Sequence, residues 1–386
     1  YYESSRGCPF SCSYCLSSID KCLRFREIEL VKKELQFFID KKVPQVKFVD
    51  RTFNCRHDHA MAIWTYIHEH DNGITNFHFE VSADLLNEKE IALINRMRPG
   101  LIQLEIGVQS ANEITIREIN RTMKIDVLST IVDKIKKGNN VHQHLDLIAG
   151  LPYEGYESFG KSFDRVYKMN PEQLQLGFLK VLKGSVMHDR AQEYGIVYQD
   201  RAPYEVLSTK WLTYAEVIRL KQIEEMVEVY YNSGQFCCTM AALEQEFASP
   251  FCMYECLAAY YDEKNAFAVS HSRIGRYEIL YDFIVKTCKE RSEQYMEMLT
   301  LDMYLRDNVK KRPEFLRESG VSSDEAAAFY KKEEKERTYL KAYEGYDRRQ
   351  MRKMTHLERI DGKTVLFDYK NRDPLTGNAA IYYLSE

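Results

Sequence analysis

Short runs with apolar residues at every second position alternate with longer runs in which they recur every third or fourth position. "QVKFVD" (45–50), "NFHFEV" (76–81), "LIQLEIGV" (101–108), "VHQHLDLIAG" (141–150) and "QLQLGFLKVL" (173–182) belong to the first kind. "REIELVKKELQFFIDKK" (26–42), "HDHAMAIWTYIHEH" (57–70), "NEKEIALINRM" (87–97), "NEITIREINR" (112–121), "IDVLSTIVDKIKKG" (125–138) and "SFGKSFDRVYKM" (158–169) belong to the second. Period two is the signature of a strand and period 3.6 that of a helix. With "YYESS" as a leading strand, the first 205 residues predict six strand–helix units. Repeated right-handed crossovers place such strands side by side and parallel. The predicted fold class is therefore α/β: a six-stranded parallel partial (β/α)6 barrel of the TIM type.

From about Tyr204 the strand signals stop. "PYEVLSTKWLTYAEVIRLKQIEEMVEVYYNSG" opens a mainly α-helical region expected to run from 206 to 355. Its charged stretch, "YKKEEKERTYLKAYEGYDRRQMRKM", reads as a solvated helix face. The tail, 356–386, reads as a hairpin of two short strands around an Asp-Pro/Gly turn. Three segments are thus expected: 1–205, 206–355 and 356–386.

Composition narrows the classes of function. The chain has 386 residues, 45% of them hydrophobic, enough for two sizeable cores. Lys+Arg number 54 against 58 Asp+Glu, a balance that does not indicate nucleic acid or an anionic membrane as the main partner. No apolar run approaches the roughly 18–20 residues of a membrane span, and no signal-peptide pattern opens the chain. A cytoplasmic protein is the expectation. Tyr1 stands immediately before a cysteine cluster, and a preceding segment is expected.

Ten cysteines in a chain of this length do not form a disulfide scaffold. Cys22, Cys55 and Cys288 stand apart and read as plain thiols. Cys237 and Cys238, with Cys252 and Cys256, form a loose second group in helical sequence, and their role is left open. Cys8, Cys12 and Cys15, in "GCPFSCSYC", are different. They come directly after the first predicted strand, at the carboxyl end where ligands of parallel sheets sit. Three thiolates on one short loop suit three corners of a 4Fe–4S cluster, with one iron left open. Zinc, with Cys22 as fourth ligand, and plain structural thiols are the alternatives.

"RGCPFSCSYC" resembles the signature of the radical S-adenosylmethionine (SAM) enzymes, including an aromatic, Tyr14, before the third cysteine. "GVQSANEITIREINR" and "DLIAGLP" extend the resemblance over about residues 1–205. They are similar to the branch that contains oxygen-independent coproporphyrinogen oxidase and the cobalamin-dependent radical enzymes. Residues 173–231 are similar to uncharacterised proteins that carry an amino-terminal cobalamin-binding domain. The cobalamin motif D-x-H-x-x-G does not occur in this chain.

The resemblance implies a 4Fe–4S cluster on Cys8, Cys12 and Cys15, with SAM bound to its open iron. Arg121, on the helix after the fourth strand, matches the arginine that holds the SAM carboxylate; a guanidinium fits that fork. Glu80, Gln109 and Asp146 match positions that hydrogen-bond the amine and ribose. Asp50, where relatives have a glycine-rich stretch, is a further candidate. Gly107 and Gly150 are expected at close approaches or turns. His142 and His144, like Arg56 to His59, read as structural rather than metal-binding.

The resemblance further implies an oxygen-sensitive enzyme that cleaves SAM reductively to begin radical chemistry on an unidentified small-molecule or macromolecular substrate. An electron donor such as flavodoxin or ferredoxin is the implied partner. Cobalamin is admitted only through a segment outside this chain. The alternative of another class is a haem- or iron–sulfur-binding delivery protein without radical turnover. A zinc-stapled structural module is a third possibility, which the six-unit barrel pattern disfavours.

Overall fold

The computed structural model describes residues 1–384. By internal contacts the chain forms two compact units, Tyr1–Glu228 with Pro250–Glu255, and Val229–Ser249 with the residues from Cys256 onward. The division falls after Glu228 rather than at the expected 205/206.

Five strands form the sheet of the first unit: β3 (Gln45–Lys47), β4 (Asn76–Val81), β5 (Ile102–Gln109), β6 (His142–Ala149) and β7 (Gln173–Phe178). They lie in sequence order, every neighbouring pair parallel, and curl into a half-barrel. Helices α1 (Ile28–Asp40), α2 (His57–Glu69), α3 (Glu88–Ile94), α4 (Glu113–Glu118), α5 (Ile125–Lys136) and α6 (Tyr156–Tyr167) fill the crossovers. Each longer helix buries one stripe, such as Val31, Leu35 and Ile39 of α1 or Leu128, Val132 and Ile135 of α5. That spacing is one helical face. On the strands, Phe77 and Phe79, and Ile102, Leu104 and Ile106, are the fully buried alternation that meets these helices. The intervening positions carry Lys47, His78, Glu80, Glu105, Gly107, His144 and Asp146, so the other face of the half-barrel is polar. The register puts Glu80 beside Glu105, Glu105 beside His144, and Gly107 beside Asp146.

The expected sixth strand at residues 1–5 is reduced to one bridge, Tyr2 to Phe48, parallel to the sheet edge. Its backbone is diverted by a side chain. Asp50, fully buried, accepts hydrogen bonds from Ser4 N (3.0 Å), Ser4 Oγ (2.7 Å) and Ser5 Oγ (2.5 Å). His59 Nε2 lies 3.1 Å from the same Ser4 hydroxyl. Ser5–Arg6 (β1) then pairs antiparallel with Arg24–Phe25 (β2), closing the cysteine loop at its base. A single ladder strand cannot serve both the sheet edge and this clasp.

Beyond β7 the first unit adds α7 (Val186–Asp189), the antiparallel pair β8 (Val197–Tyr198) and β9 (Val206–Ser208), and α8 (Tyr214–Val227). Thr213 and Glu216 form a capping box at the start of α8. Near the start of α10 (Pro250–Glu263), Phe251 packs against Phe163 and fills the space a side chain at Gly160 would occupy.

The second unit contains α9 (Cys237–Leu243), the later part of α10, α11 (Arg273–Thr287), α12 (Ser292–Arg306), α13 (Ser323–Glu336) and α14 (Arg348–Met354). Its sheet has three antiparallel strands, not the expected two: β10 (Thr355–Ile360), β11 (Lys363–Arg372) and β12 (Ala379–Tyr383). The added strand is β10, joined to β11 through Asp361-Gly362, both in the left-handed region a tight hairpin turn needs. Tyr330, Leu340, Tyr343, Met351, Leu357 and Leu366 form a core beneath it. No helix among the described residues is long and apolar enough to cross a membrane.

The Asp50 clasp yields the first prediction. Hydrogen bonds to a buried carboxylate are each worth about 1.5–3 kcal/mol, and removing the carboxylate orphans its donors. Asp50→Ala should lower unfolding free energy by about 3 kcal/mol in anaerobic urea titration, and Asp50→Asn, which keeps one acceptor oxygen, by less. A loss below about 1 kcal/mol, the ordinary range of point changes, would show that the clasp is dispensable.

Candidate active site

The cysteine loop leaves β1 through Gly7, whose φ of +95° is open to glycine at no steric cost. A Cβ there would also stand 2.6 Å from the Cys22 carbonyl oxygen. The loop is then stitched at its middle: Ser13 N donates to the Ile119 carbonyl (3.0 Å), and Met187 N donates to the Ser13 carbonyl (2.8 Å). Cys8 and Cys12 are buried and Cys15 half-buried, all as free thiols.

The three thiols open into one cavity of about 180 Å³. Tyr14, Glu80, Gln109, Arg121 and Asp146 line it as well, so five of the six expected cofactor-contacting residues converge there with the three thiols. Asp50 does not line it. Its carboxylate is committed to Ser4 and Ser5, behind the loop. Cys22, the alternative zinc ligand, is exposed and absent from the lining.

Arg121 reaches the cavity by a different route from the one expected. It lies past the end of α4, not on it. Asn120 adopts a left-handed conformation (φ +56°) and Arg121 N returns to the Ile116 carbonyl (3.0 Å), a helix-terminating turn. The guanidinium then points inward: Nη2 donates to the Gly107 carbonyl, Nη1 lies 3.5 Å from Tyr14 Oη and 3.8 Å from Cys12 Sγ. Burial pushes the Tyr14 phenol well above its ordinary range, against the opposing pull of the Arg121 charge, so it stays a neutral hydroxyl.

Gln109 is placed by a bulge. The β5–β6 register shifts between Gly107 and Gln109, and Gln109 has φ +76°, uncommon for a residue with a side chain. A Cβ at Gly107 would collide with Gln109 Nε2 and come within 3.3 Å of Arg121 Nη2. Gly107 is therefore the space that these two side chains share.

The cavity's carboxylates differ. Glu105, which no sequence motif marks, lies 3.0 Å from His78 Nε2 and 3.2 Å from Lys47 Nζ. The contact with His78 outweighs burial and, with the Lys47 charge, holds its carboxyl down at about 2. Burial, reinforced by Glu105, pushes Glu80 up. Burial also raises Asp146, although His144 Nε2, 3.0 Å away, opposes it. In return the Asp146 carboxylate overcomes the burial of His144 and lifts that imidazole above its ordinary value. His144 is thus held by a carboxylate on its own strand, consistent with a structural histidine. Burial lowers His142.

Glu154, four residues after the "GLP" turn begins, is a second residue that sequence pattern does not mark. It is buried, and accepts hydrogen bonds from Ser110 Oγ and Ser162 Oγ, both at 2.7 Å. Those hydroxyls in turn receive Asn112 N and Ala111 N, both at 3.0 Å. The chain leaving Gln109 is thereby tied to α6.

Whether this cavity fits a cluster with SAM is testable on its donors. Three thiols on one loop and no fourth cysteine or histidine in the wall match a cluster with one iron open. Gln109 Oε1 and Arg121 Nε are buried without hydrogen-bond partners, an acceptor and a donor beside those thiols. Such groups are costly to leave unpaired. The residues fit the pair.

Residues 2–166 match the radical SAM superfamily, and this chain carries a radical SAM domain. Residues 192–374 match a family described as a protein of unknown function, DUF4080. Oxygen-independent coproporphyrinogen III oxidase of Salmonella typhimurium is 29% identical over 107 residues, 26% of this chain and 23% of that protein. Bacteriochlorophyllide d C-12(1)-methyltransferase of Chlorobaculum tepidum is 26% identical over 171 residues, 42% of this chain and 35% of that protein. The chain thus spans well under half the length of either relative. Among solved structures, the cobalamin-dependent SAM radical enzyme OxsB superposes with a TM-score of 0.47 at 12% identity, over 78% of this chain and 53% of that one. TsrM of Kitasatospora setae, a radical SAM methyltransferase, gives 0.45 at 14% identity, over 51% and 37%.

Glu154 predicts a pH dependence. Burial raises its carboxyl from an unfolded value near 4.5 to about 7. The folded state prefers the proton, so this group's contribution to stability is full below pH 4.5 and is lost as pH rises through 7. Relative to Glu154→Gln, the native protein should lose about 2–3 kcal/mol between pH 5 and pH 8. Denaturant titration at both values measures this; parallel pH curves for the two proteins would contradict it.

Proposed function

We propose that this protein is a radical SAM enzyme: Cys8, Cys12 and Cys15 hold a 4Fe–4S cluster, and the adjoining cavity binds SAM. The observation that carries this reading is the convergence of Tyr14, Glu80, Gln109, Arg121 and Asp146 on the wall that holds the three thiols. A protein that only carried a cluster needs the thiols and not this set. When bound, the cluster and SAM supply reductive cleavage of SAM, which starts radical chemistry on a substrate carbon.

The chain's own residues bind and orient. Arg121, fixed by the Gly107 carbonyl, presents Nη1 beside Cys12 and takes the SAM carboxylate. Gln109, turned inward by its bulge, offers its unpartnered Oε1 to a donor of the cofactor. Glu80, Glu105 and Asp146 give the wall acceptors for the amine and ribose hydroxyls, and Glu105 supplies negative charge against the cationic sulfonium. No residue here is assigned to cobalamin. The substrate is unassigned, and the reductant would be a low-potential one-electron donor such as flavodoxin or ferredoxin.

Anaerobic reconstitution and then reduction with SAM should yield 5′-deoxyadenosine. A loaded cluster that binds SAM but yields none under reduction would favour the delivery protein instead. Replacing Cys8, Cys12 or Cys15 with Ala should abolish cluster iron and sulfide, whereas Cys22→Ala should retain both. Equal loss in the Cys22 variant would mean a closed site of four thiolates.

Arg121→Ala should leave iron and sulfide intact while weakening SAM binding roughly ten- to a hundredfold, the equivalent of one charged hydrogen bond. Arg121→Lys should recover only part of that, because ammonium lacks the fork. Calorimetry on the reconstituted protein decides it, and unchanged affinity in the alanine variant would remove Arg121 from the cofactor site.

A further inference from the structure

The second unit holds another group of metal-ligating side chains, sharing none with the cluster loop. Cys237 and Cys238 open α9, and Asp302, on α12, faces them. One ligand atom from each lies within 4.8 Å of the other two. Cys237 Sγ is 3.4 Å from Asp302 Oδ1. For a tetrahedral zinc ion with Zn–S near 2.3 Å and Zn–O near 2.0 Å, the sulfur–oxygen edge is about 3.5 Å. The existing separation already has that length.

The carboxylate is held in place independently of any ion. Asp302 is 1% exposed, and accepts Cys238 N at 2.9 Å through Oδ1 and Thr239 N at 2.8 Å through Oδ2. The neighbouring Phe236 offers no side chain to those first-turn amides, so Asp302 does their capping from another helix. A carboxylate has about four lone-pair sites, and one backbone bond to each oxygen leaves acceptor capacity facing the thiols. Two soft sulfur donors and one hard oxygen form a ligand set for a borderline cation rather than for calcium or magnesium. Cys237 is exposed, so solvent reaches one of the two sulfur donors, and among the described residues no fourth His, Cys, Asp or Glu ligand joins the three.

The geometry points to Cys237, Cys238 and Asp302 as a second metal site that takes a zinc-class divalent cation with three protein ligands and one open position. Binding replaces the proton of each thiol with a metal–sulfur bond and releases those protons to solvent. An open position on a three-ligand zinc is where water or a substrate group is activated in hydrolytic and transfer enzymes.

The test uses the full chain with Cys8, Cys12 and Cys15 replaced by Ala, so that the cluster loop contributes no signal, and cobalt(II) as probe. One equivalent of cobalt(II) should produce thiolate-to-cobalt charge transfer and the visible bands of a tetrahedral ion. Zinc added afterwards should bleach them. Adding Cys237→Ser and Cys238→Ser together, near-isosteric changes that leave the Asp302 cap in place, should abolish the charge transfer. No charge-transfer band in the parent, or one that survives the double serine variant, would overturn the site. Neither outcome bears on the cluster, whose ligands are absent from the experiment.

Discussion

The Asp50 carboxylate carries more of this molecule than its position at a strand end suggests. A strand that leads into a ligand loop must end at a defined place, or the loop it feeds has no fixed origin. Here the edge strand is cut to the single residue Tyr2, and the chain just beyond it is held through Ser4 and Ser5 on one buried carboxylate. From that point β1 and β2 close the loop's base, and the Ser13 backbone pins its middle to the turn bearing Arg121. The thiols and the guanidinium are therefore positioned by one connected set of hydrogen bonds. Preorganisation of this kind is what a site needs to spend little on reorganisation when it binds.

The polar face of the half-barrel is a consequence of the same parallel sheet. Strand period two sends Phe77, Phe79, Leu104 and Ile106 to the helices, and the residues between them inward. Three carboxylates then crowd one small cavity with two guanidiniums, those of Arg51 and Arg121. They do not share the charge equally: Glu105 is fixed as an anion by His78 and Lys47, while burial raises Glu80 and Asp146. Like charges on adjacent strands at one register are costly unless one yields or a cation intervenes. This wall has one firm anion and two acceptors whose charge depends on what lies against them, which suits a cationic ligand.

The site is legible in the sequence where its chemistry is local along the chain. The cysteine spacing and the stretches "GVQS" and "DLIAGLP" locate residues that meet at the carboxyl ends of neighbouring strands, and a parallel sheet in sequence order brings them together. Asp50 defeats that logic because strand-end position says only that a carboxylate is near the mouth. Ser4 and Ser5, which turn it backward, pair with it from 46 and 45 positions away. Glu105 is within reach of sequence reasoning, since "LIQLEIGV" puts it on the face of Gly107 by simple alternation. Glu154 cannot be assigned from pattern, because its partners lie on two other segments. Arg121 reads as helical because periodicity runs on through "REINR", and the left-handed Asn120 that ends the helix leaves no hydrophobic trace.

The second unit is harder to read for a compositional reason. Its core mixes many buried tyrosines with its leucines and methionines, and tyrosines weaken the contrast between apolar and polar faces on which periodicity depends. Buried tyrosine keeps a hydroxyl that must find a partner. Tyr230 meets Tyr261 at 2.5 Å, Tyr277 donates to the Gln235 carbonyl at 2.8 Å, Tyr330 meets Thr355 at 2.8 Å, and Tyr343 donates to Asp368. Each pairing joins distant segments, so the core is specified by directional bonds as well as by volume. A leucine core of similar size would tolerate sliding among its helices; these hydroxyls do not. The same rigidity holds Asp302 against the start of α9, where a carboxylate on one helix completes the hydrogen bonding of another and stands beside two thiols.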